Sequence, residues 1–110
     1  TARERLIVGS IARYHRKALP KQKHDHYAAL APEDQQRVNM LAGILRVADG
    51  LDRTHQNLVE GLTCTITPQR IVVRFRSTGP AHAEKMAALK KGDLLARASD
   101  RLLDVTYVPD

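Results

Sequence analysis

The sequence contains a single cysteine, no tryptophan and few aromatic residues, which make up 4% of its 110 residues. One cysteine excludes a disulfide bond within the chain and a zinc site built from several thiolates. Because apolar and polar residues alternate around Cys64, we expect a packed strand residue there rather than a reactive thiol. No apolar run approaches the roughly 20 residues that a membrane-spanning helix needs, and no signal-peptide pattern opens the chain. We therefore expect a cytoplasmic protein without a membrane segment.

The motifs of self-contained active sites are also missing. The sequence has no glycine-rich phosphate loop, no Ser-His-Asp order and no zinc-ligand spacing. It does carry a formal charge of +6 at pH 7, and its isoelectric point is about 9.9. Such a charge favours polyanionic partners, namely nucleic acid, nucleotides or polyphosphate. Because the chain begins at Thr1 without a methionine, we expect it to be part of a longer protein.

The predicted helices come first in the chain, and most of the predicted strands come later. Thr1 and Glu4 form a capping-box pattern before a helix over 2–18, and Pro32 begins a long central helix that ends near His55. The other predicted elements are a linker over 20–31 in which Tyr27 and Leu30 pack on the core, a hairpin with strands over 62–66 and 71–76, helices over 81–91 and 93–102 separated by Gly92, and a strand over 103–108. This order predicts an α+β fold with a helical segment, 1–59, and a small β-β-α-β module, 60–110.

The central helix is apolar around most of its circumference, which is typical of a buried helix. Asp49 and Asp52 nevertheless fall within an apolar arc, and a buried carboxylate needs a cation, a metal or a proton. In one interpretation the two carboxylates meet a divalent cation. In the other, Asp49 pairs with Arg46 or Arg53 on its own helix. Asp52 then bonds backbone groups of the first helix. The helix has only a narrow polar stripe, which consists of Asn39, Gly43, Arg46, Gly50, Arg53 and Thr54.

A run of basic residues extends from the end of the first predicted helix into the segment that follows it, and it contains no acidic residue. Arginine binds phosphate through bidentate geometry and lysine as a mobile point charge, so the run can contact a phosphate chain. The alternative is a solvated face without a ligand. His15 lies inside the run, where it can ligate a metal, bind a phosphate oxygen when protonated, or only pack and cap the helix. The basic residues of the run are Arg13, Arg16, Lys17, Lys21 and Lys23.

Two stretches are more specific than these general signals. Residues 11–20 (IARYHRKALP) and residues 41–55 (LAGILRVADGLDRTH) resemble the C-terminal region of the exopolyphosphatase / guanosine pentaphosphate phosphatase (Ppx/GppA) family. The resemblance covers essentially the whole chain and is weaker over the hairpin and the last helices. It implies two preceding domains of the sugar-kinase/actin type, which hold the catalytic cleft, then a helical domain related to the HD phosphohydrolases and a small α/β domain. Residues 1–59 would be the last helices of the HD-like domain.

The resemblance also implies roles for individual residues. Asp49 matches the final metal-binding aspartate of HD proteins, whereas Asp52 matches a feature of this family only. His15 matches the family's Arg-Tyr-His-Arg element, which faces the same cleft. The histidine and the His-Asp pair that open an HD site are not in this sequence, so Asp49 would belong to half of a metal site at most. The substrate-binding residues would then be Arg13, His15, Arg16, Lys17, Lys21 and Lys23.

By the same resemblance, the parent chain is a phosphoanhydride hydrolase. It would release terminal phosphate from polyphosphate or from the guanosine polyphosphate pppGpp with the help of a divalent cation such as Mg²⁺. Its partners would be that substrate, the N-terminal domains of the same chain and a second copy in a homodimer. We expect the 110-residue segment alone to be inactive, and to self-associate if the face that carries Leu45 and Asp49 is uncovered.

Two other classes of function are consistent with the composition. One is a basic module that binds nucleic acid and uses the hairpin as a second contact. The other is a purely structural or dimerisation segment. We rank nucleic-acid binding lower because stacking on bases needs aromatic residues at the surface, and all four aromatic residues fit core positions. These residues are Tyr14, Tyr27, Phe75 and Tyr107.

Overall fold

A computed structural model describes residues 1–16 and 18–108. Within these residues, five helices and three strands confirm the expected α+β class. None of the described helices is both long and apolar enough to cross a membrane. The elements are α1 (Ala2–Tyr14), α2 (Asp25–Ala28), α3 (Pro32–Leu51), β1 (Val59–Ile66), β2 (Arg70–Ser77), α4 (His82–Lys91), α5 (Asp93–Ser99) and β3 (Leu102–Val108).

Helix α1 begins as predicted and ends earlier than predicted. The Thr1 hydroxyl oxygen accepts a hydrogen bond from the Glu4 amide at 3.1 Å, and the Glu4 side chain bonds back to the cap, which confirms the capping box. The helix ends at Tyr14, with His15 as its C-cap, instead of continuing to residue 18. The Tyr14 carbonyl accepts a hydrogen bond from the Arg46 side chain at 3.3 Å. A side chain of α3 therefore satisfies the carbonyl that a further helical turn would have used.

Helix α3 begins at Pro32 as predicted but is not buried all round. Leu41, Ile44 and Leu45 are between 43% and 48% exposed, whereas part of the predicted polar stripe is buried. The buried part includes Gly43 and Gly50, which face the backbones of α5 and α4. Helices approach most closely where side chains are smallest, so the glycines form the packing face and the larger apolar residues stay outside. The helix also ends at Leu51, with Asp52 as its C-cap, rather than near residue 55.

The sheet has the strand order β1-β2-β3, with β1 antiparallel to β2 and β2 parallel to β3. Helices α4 and α5 form the crossover between the two parallel strands. Phe75 of β2 and Val105 of β3 are among the buried apolar side chains of the sheet. Cys64 is exposed, so its predicted packing is wrong, and its neighbours Leu62 and Ile66 are also exposed. The reason is that these three residues line an open apolar groove beside Ile44 of α3 and are not part of the buried cluster.

Two clusters of buried apolar residues connect the front and the back of the chain. Tyr27 and Leu30 pack as predicted, in one cluster with Leu94 of α5. Val47 of α3 belongs to the other cluster, together with Phe75 of β2. The two segments that meet near residue 59 therefore share their hydrophobic core.

The end of α5 offers a simple test of the local backbone geometry. Asp100 caps this helix in the left-handed conformation, with φ 53° and ψ 46°, and it is exposed. Glycine has no Cβ to oppose this conformation, so we expect Asp100→Gly to raise the free energy of unfolding by about 0.5–1 kcal/mol. Asp100→Val is expected to lower it, because a β-branched residue is the least tolerant of positive φ. Urea denaturation of both variants measures the difference, and a stabilised valine variant would contradict this geometry.

Candidate functional site

The C-terminal ends of α1, α3 and α4 meet around an open cleft of about 420 Å³. Four of its seven lining residues are arginine or lysine, two are histidine and one is aspartate. Because the cations come from three separate elements, only the tertiary fold brings them together. The lining residues are His15, Arg16, Arg46, Asp49, Arg53, His55 and Lys91.

Arg46 is the most deeply placed cation of the cleft, with only 8% of its surface exposed. Its Nη1 donates to the Tyr14 carbonyl, but its Nε is buried and has no hydrogen-bond partner among the residues that the structure describes. No carboxylate of the described chain forms an ion pair with it. A guanidinium keeps its charge in proteins, and a buried charge without a counter-charge is unfavourable by several kcal/mol. Arg46 is therefore a buried charge of the cleft without an ion-pair partner among the described residues.

Among the described residues, Asp49 supplies the only negative charge in the cleft lining. Its Oδ1 accepts a hydrogen bond from Arg16 Nη2 at 3.2 Å, and its Oδ2 accepts one from Lys91 Nζ. The bond from Lys91 holds the pKa of Asp49 below its usual value, although partial burial of the carboxylate opposes this shift. An ion pair at Asp49 was one of the two expectations. Its partners are not Arg46 and Arg53, however, but Arg16, which follows α1, and Lys91 of α4.

His15 acts as a helix cap and lines the cleft at the same time. Its Nδ1 lies 2.5 Å from the Ala12 carbonyl oxygen, which can only accept, so Nδ1 carries the hydrogen. The other ring nitrogen, Nε2, is not used by this bond and is left for a ligand. On the opposite rim, His55 has a left-handed backbone with φ 55° and donates from Nδ1 to Asp52 at 3.2 Å. Asp52 is 54% exposed, so its expected bonds to backbone groups of the first helix are not formed.

A buried carboxylate holds the loop that forms this rim. Glu84 of α4 is only 2% exposed, and its Oε2 accepts a hydrogen bond from the Thr54 amide at 3.1 Å. Thr54 stands between Arg53 and His55, which both line the cleft. The contact therefore ties the loop after α3 to the same helix that carries Lys91. Packing of α4 on α3 positions three of the cleft residues at once.

The structure divides the basic run. Arg16 lines the cleft, whereas Arg13 lines a separate depression together with Arg5 and His26. Lys21 and Lys23 are exposed and are not among the residues that line the cleft. Lys17 lies outside the described residues. Of the predicted substrate-binding residues, the fold therefore places His15 and Arg16 beside Asp49.

No group of three histidine, cysteine, aspartate or glutamate side chains within 1–16 and 18–108 is arranged to hold a metal ion. Asp49 is the single carboxylate of the cleft and already pairs with two cations. The residues present therefore do not fit a divalent cation by themselves. The metal role that the resemblance implies for Asp49 stays a prediction about the longer protein.

Four residues of the cleft were not among the predicted site residues. Arg46 and Arg53 were considered only as ion-pair partners of Asp49, although their spacing along the helix places them beside it. Nothing in the sequence assigned a role to His55. Lys91 is distant in sequence and reaches the cleft only because α4 packs on α3. The only sequence feature that could have indicated Lys91 was its position as a basic residue at the end of a predicted helix.

No protein-family model matches the chain, and no curated protein matches it significantly.

Proposed function

We propose that this chain is the C-terminal substrate-holding and regulatory segment of an exopolyphosphatase or pppGpp phosphohydrolase, and that its cleft binds phosphate groups of the substrate. The observation that carries the proposal is Arg46, a buried guanidinium that lines an open cleft and has no carboxylate partner in the described residues. A phosphate group supplies the missing counter-charge and accepts several hydrogen bonds from one guanidinium. The family resemblance of residues 11–20 and 41–55 supports the same class of ligand.

The other cations of the cleft favour a multiply charged anion. Arg16 and Arg53 are accessible guanidinium groups, and Lys91 adds a compact charge whose side chain is 33% exposed. Arginine and lysine together suit phosphate better than a singly charged carboxylate. Binding that depends on such charges weakens steeply with salt, because a polyanion releases its condensed counterions. Arg13, Lys21 and Lys23 lie outside the cleft and would hold the remainder of a long chain.

In this proposal, catalysis belongs to the preceding domains of the parent chain. Magnesium would act there to offset charge on the transferred phosphoryl group. The 110 residues would hold substrate without hydrolysing it. The exposed apolar residues Leu41, Ile44 and Leu45 would contact either those domains or a second copy in a homodimer.

The distribution of aromatic residues supports phosphate over nucleic acid as the ligand. Tyr14, Tyr27 and Phe75 are at most 5% exposed, so they offer no face on which a base could stack. Tyr107 is 41% exposed, but its ring packs against Phe75. The cleft itself is lined by no aromatic residue except its two histidines. A site of this composition recognises the charge of a ligand and not the identity of a base.

Two neighbouring lysines of α4 provide a matched test. Lys91 lines the cleft, whereas Lys90 is exposed and does not. We expect Lys91→Gln to weaken binding of polyphosphate by about 5–10-fold at low salt, because the variant loses one cation and leaves the negative charge of Asp49 offset by Arg16 alone. Lys90→Gln, which removes the same charge, is expected to change the affinity less than about twofold. Isothermal titration calorimetry against medium-length polyphosphate at two salt concentrations measures both.

Equal losses in the two lysine variants would mean that the whole basic surface attracts the polyanion and that the cleft is not its binding site. Circular dichroism melts of both variants show whether either substitution disturbs the fold. A normal melt with an unchanged affinity for Lys91→Gln would also contradict the proposal.

A further inference from the structure

A carboxylate at the centre of an anion-binding cleft needs an explanation. Asp49 repels any anion that enters, yet it lies between two cations of the cleft, Arg16 and Lys91. Its side chain is 19% exposed, so it is accessible from the cleft. Each carboxylate oxygen has two lone pairs, and each is used once, by Arg16 or by Lys91. One acceptor position therefore remains on each oxygen.

We infer that Asp49 makes the cleft selective for an oxyanion that carries its own proton: inorganic phosphate, or a chain-terminal phosphate in its protonated form. This inference rests on the proposed function, because it assigns a preference to the same cleft. The P–OH group donates a hydrogen bond to Asp49. The remaining phosphate oxygens accept hydrogen bonds from Arg46 and the other cations of the cleft.

The selectivity follows from the acid–base chemistry of the ligands. Sulfate has no proton near neutral pH, and neither do the internal phosphates of a polyphosphate chain. Such an anion places its lone pairs against those of Asp49, and neither group can donate. A terminal phosphate has a second pKa of about 6, so it keeps a proton for part of the time near neutral pH. Inorganic phosphate retains a proton throughout this range. The cleft would thus recognise a free phosphate or the end of a chain and reject its middle.

A simpler role for Asp49 predicts a different result. If the carboxylate only orients Arg16 and Lys91, its removal should weaken binding of every tetrahedral anion by a similar factor. If it selects for a proton, its removal should change the ratio of affinities. The discriminating quantity is therefore the affinity for phosphate divided by the affinity for sulfate.

Three dianions of equal charge allow this test at pH 8: inorganic hydrogen phosphate, sulfate and methyl phosphate. Only the first carries a proton there. We expect the 110-residue chain to prefer inorganic phosphate over the other two by at least about tenfold. At pH 5.5 methyl phosphate carries a proton. If the cleft admits chain ends, we expect the affinity for methyl phosphate divided by the affinity for sulfate to be higher at pH 5.5 than at pH 8. If this ratio does not rise, the ligand is free phosphate. At pH 8, where the three anions carry equal charge, the charged and titratable groups that face Asp49 act on them alike and cancel in the ratio; they are His15, Arg16, Arg46, Arg53, His55 and Lys91.

The variant Asp49→Asn keeps the shape of the side chain and adds an amide donor. We expect its ratio of phosphate to sulfate affinity to fall to about 1, with tighter binding of sulfate than in the wild type. Calorimetric titration with each anion measures the ratio, and the wild-type comparison at pH 8 needs no variant. Equal affinities of the wild type for phosphate and sulfate would overturn the role of Asp49 but leave the phosphate cleft intact, provided that Lys91→Gln still weakens binding. Absence of any anion binding would overturn both.

Discussion

Replacing Gly50 by alanine is expected to lower the free energy of unfolding by about 2–4 kcal/mol. Gly50 lies where α4 crosses α3, and a Cβ built on it would stand 2.6 Å from the Ala88 amide nitrogen and 2.7 Å from the Ala88 Cα. Both are backbone atoms, so the clash cannot be relieved by rotating a side chain. Helix α4 would have to move away from α3. For a domain of this size, the loss corresponds to a melting temperature roughly 10–20 °C lower, which differential scanning calorimetry measures.

The same substitution at Gly9 is the matched control, and its expected effect has the opposite sign. Gly9 is also inside a helix but is exposed, and a Cβ there would meet no atom within 4 Å. Alanine is the better helix former, so Gly9→Ala should raise stability by about 0.5–1 kcal/mol. If Gly50→Ala also stabilised the chain, α3 and α4 could not approach each other as closely as described.

The fold was predictable where single residues determine the local backbone. The capping box at Thr1, the helix start at Pro32 and the break at Gly92 depend on short-range chemistry, and all three were correct. The hairpin was predicted from its alternating pattern and lies where expected. Burial was less predictable, because it depends on which element covers which face. Cys64 has the sequence pattern of a packed strand residue, but it is exposed on an edge strand.

The candidate site was likewise predictable only in the part that depends on local sequence. The sequence indicated Asp49 as a candidate site residue, because a carboxylate in an apolar arc needs a partner. It could not supply the partner, since Lys91 reaches Asp49 only through the packing of Gly50 against Ala88. The run of charges along the chain predicted one basic surface, whereas Arg16 lines the cleft and Arg13 lines a separate depression. Neighbours in sequence at the end of a helix need not share a face.

Replacing Arg46 by methionine is expected to weaken phosphate binding by roughly 30-fold or more, since a buried charge that meets the ligand is lost. Without phosphate, the Arg46→Met chain should be about as stable as the wild type or more stable. Methionine has a similar length, and it relieves a buried charge that has no counter-charge in the described residues. The Tyr14 carbonyl loses its hydrogen bond from Arg46, which opposes this gain by about 1–3 kcal/mol.

Thermal melts with and without phosphate separate these two effects. At a phosphate concentration 100 times the dissociation constant, binding stabilises the native state by about 2.7 kcal/mol, which is a rise of roughly 10 °C for the wild type. With affinity weakened about 30-fold, Arg46→Met should rise by no more than about 3 °C at that concentration. Arg37→Met is the control on the same helix, because Arg37 is exposed and pairs with Asp34 away from the cleft. It should keep the full rise.

The melting temperatures measured with and without phosphate distinguish an arginine that binds the ligand from one that only stabilises the fold. If Arg46 served only to cap the Tyr14 carbonyl, its loss would destabilise the unliganded chain and leave the effect of phosphate unchanged. If it binds the anion, its loss removes most of the effect of phosphate and changes the stability of the unliganded chain little. A residue that the fold tolerates losing, but that lies buried and charged at a cleft, is retained for its ligand. That combination of results would establish the cleft as an anion site independently of any family resemblance.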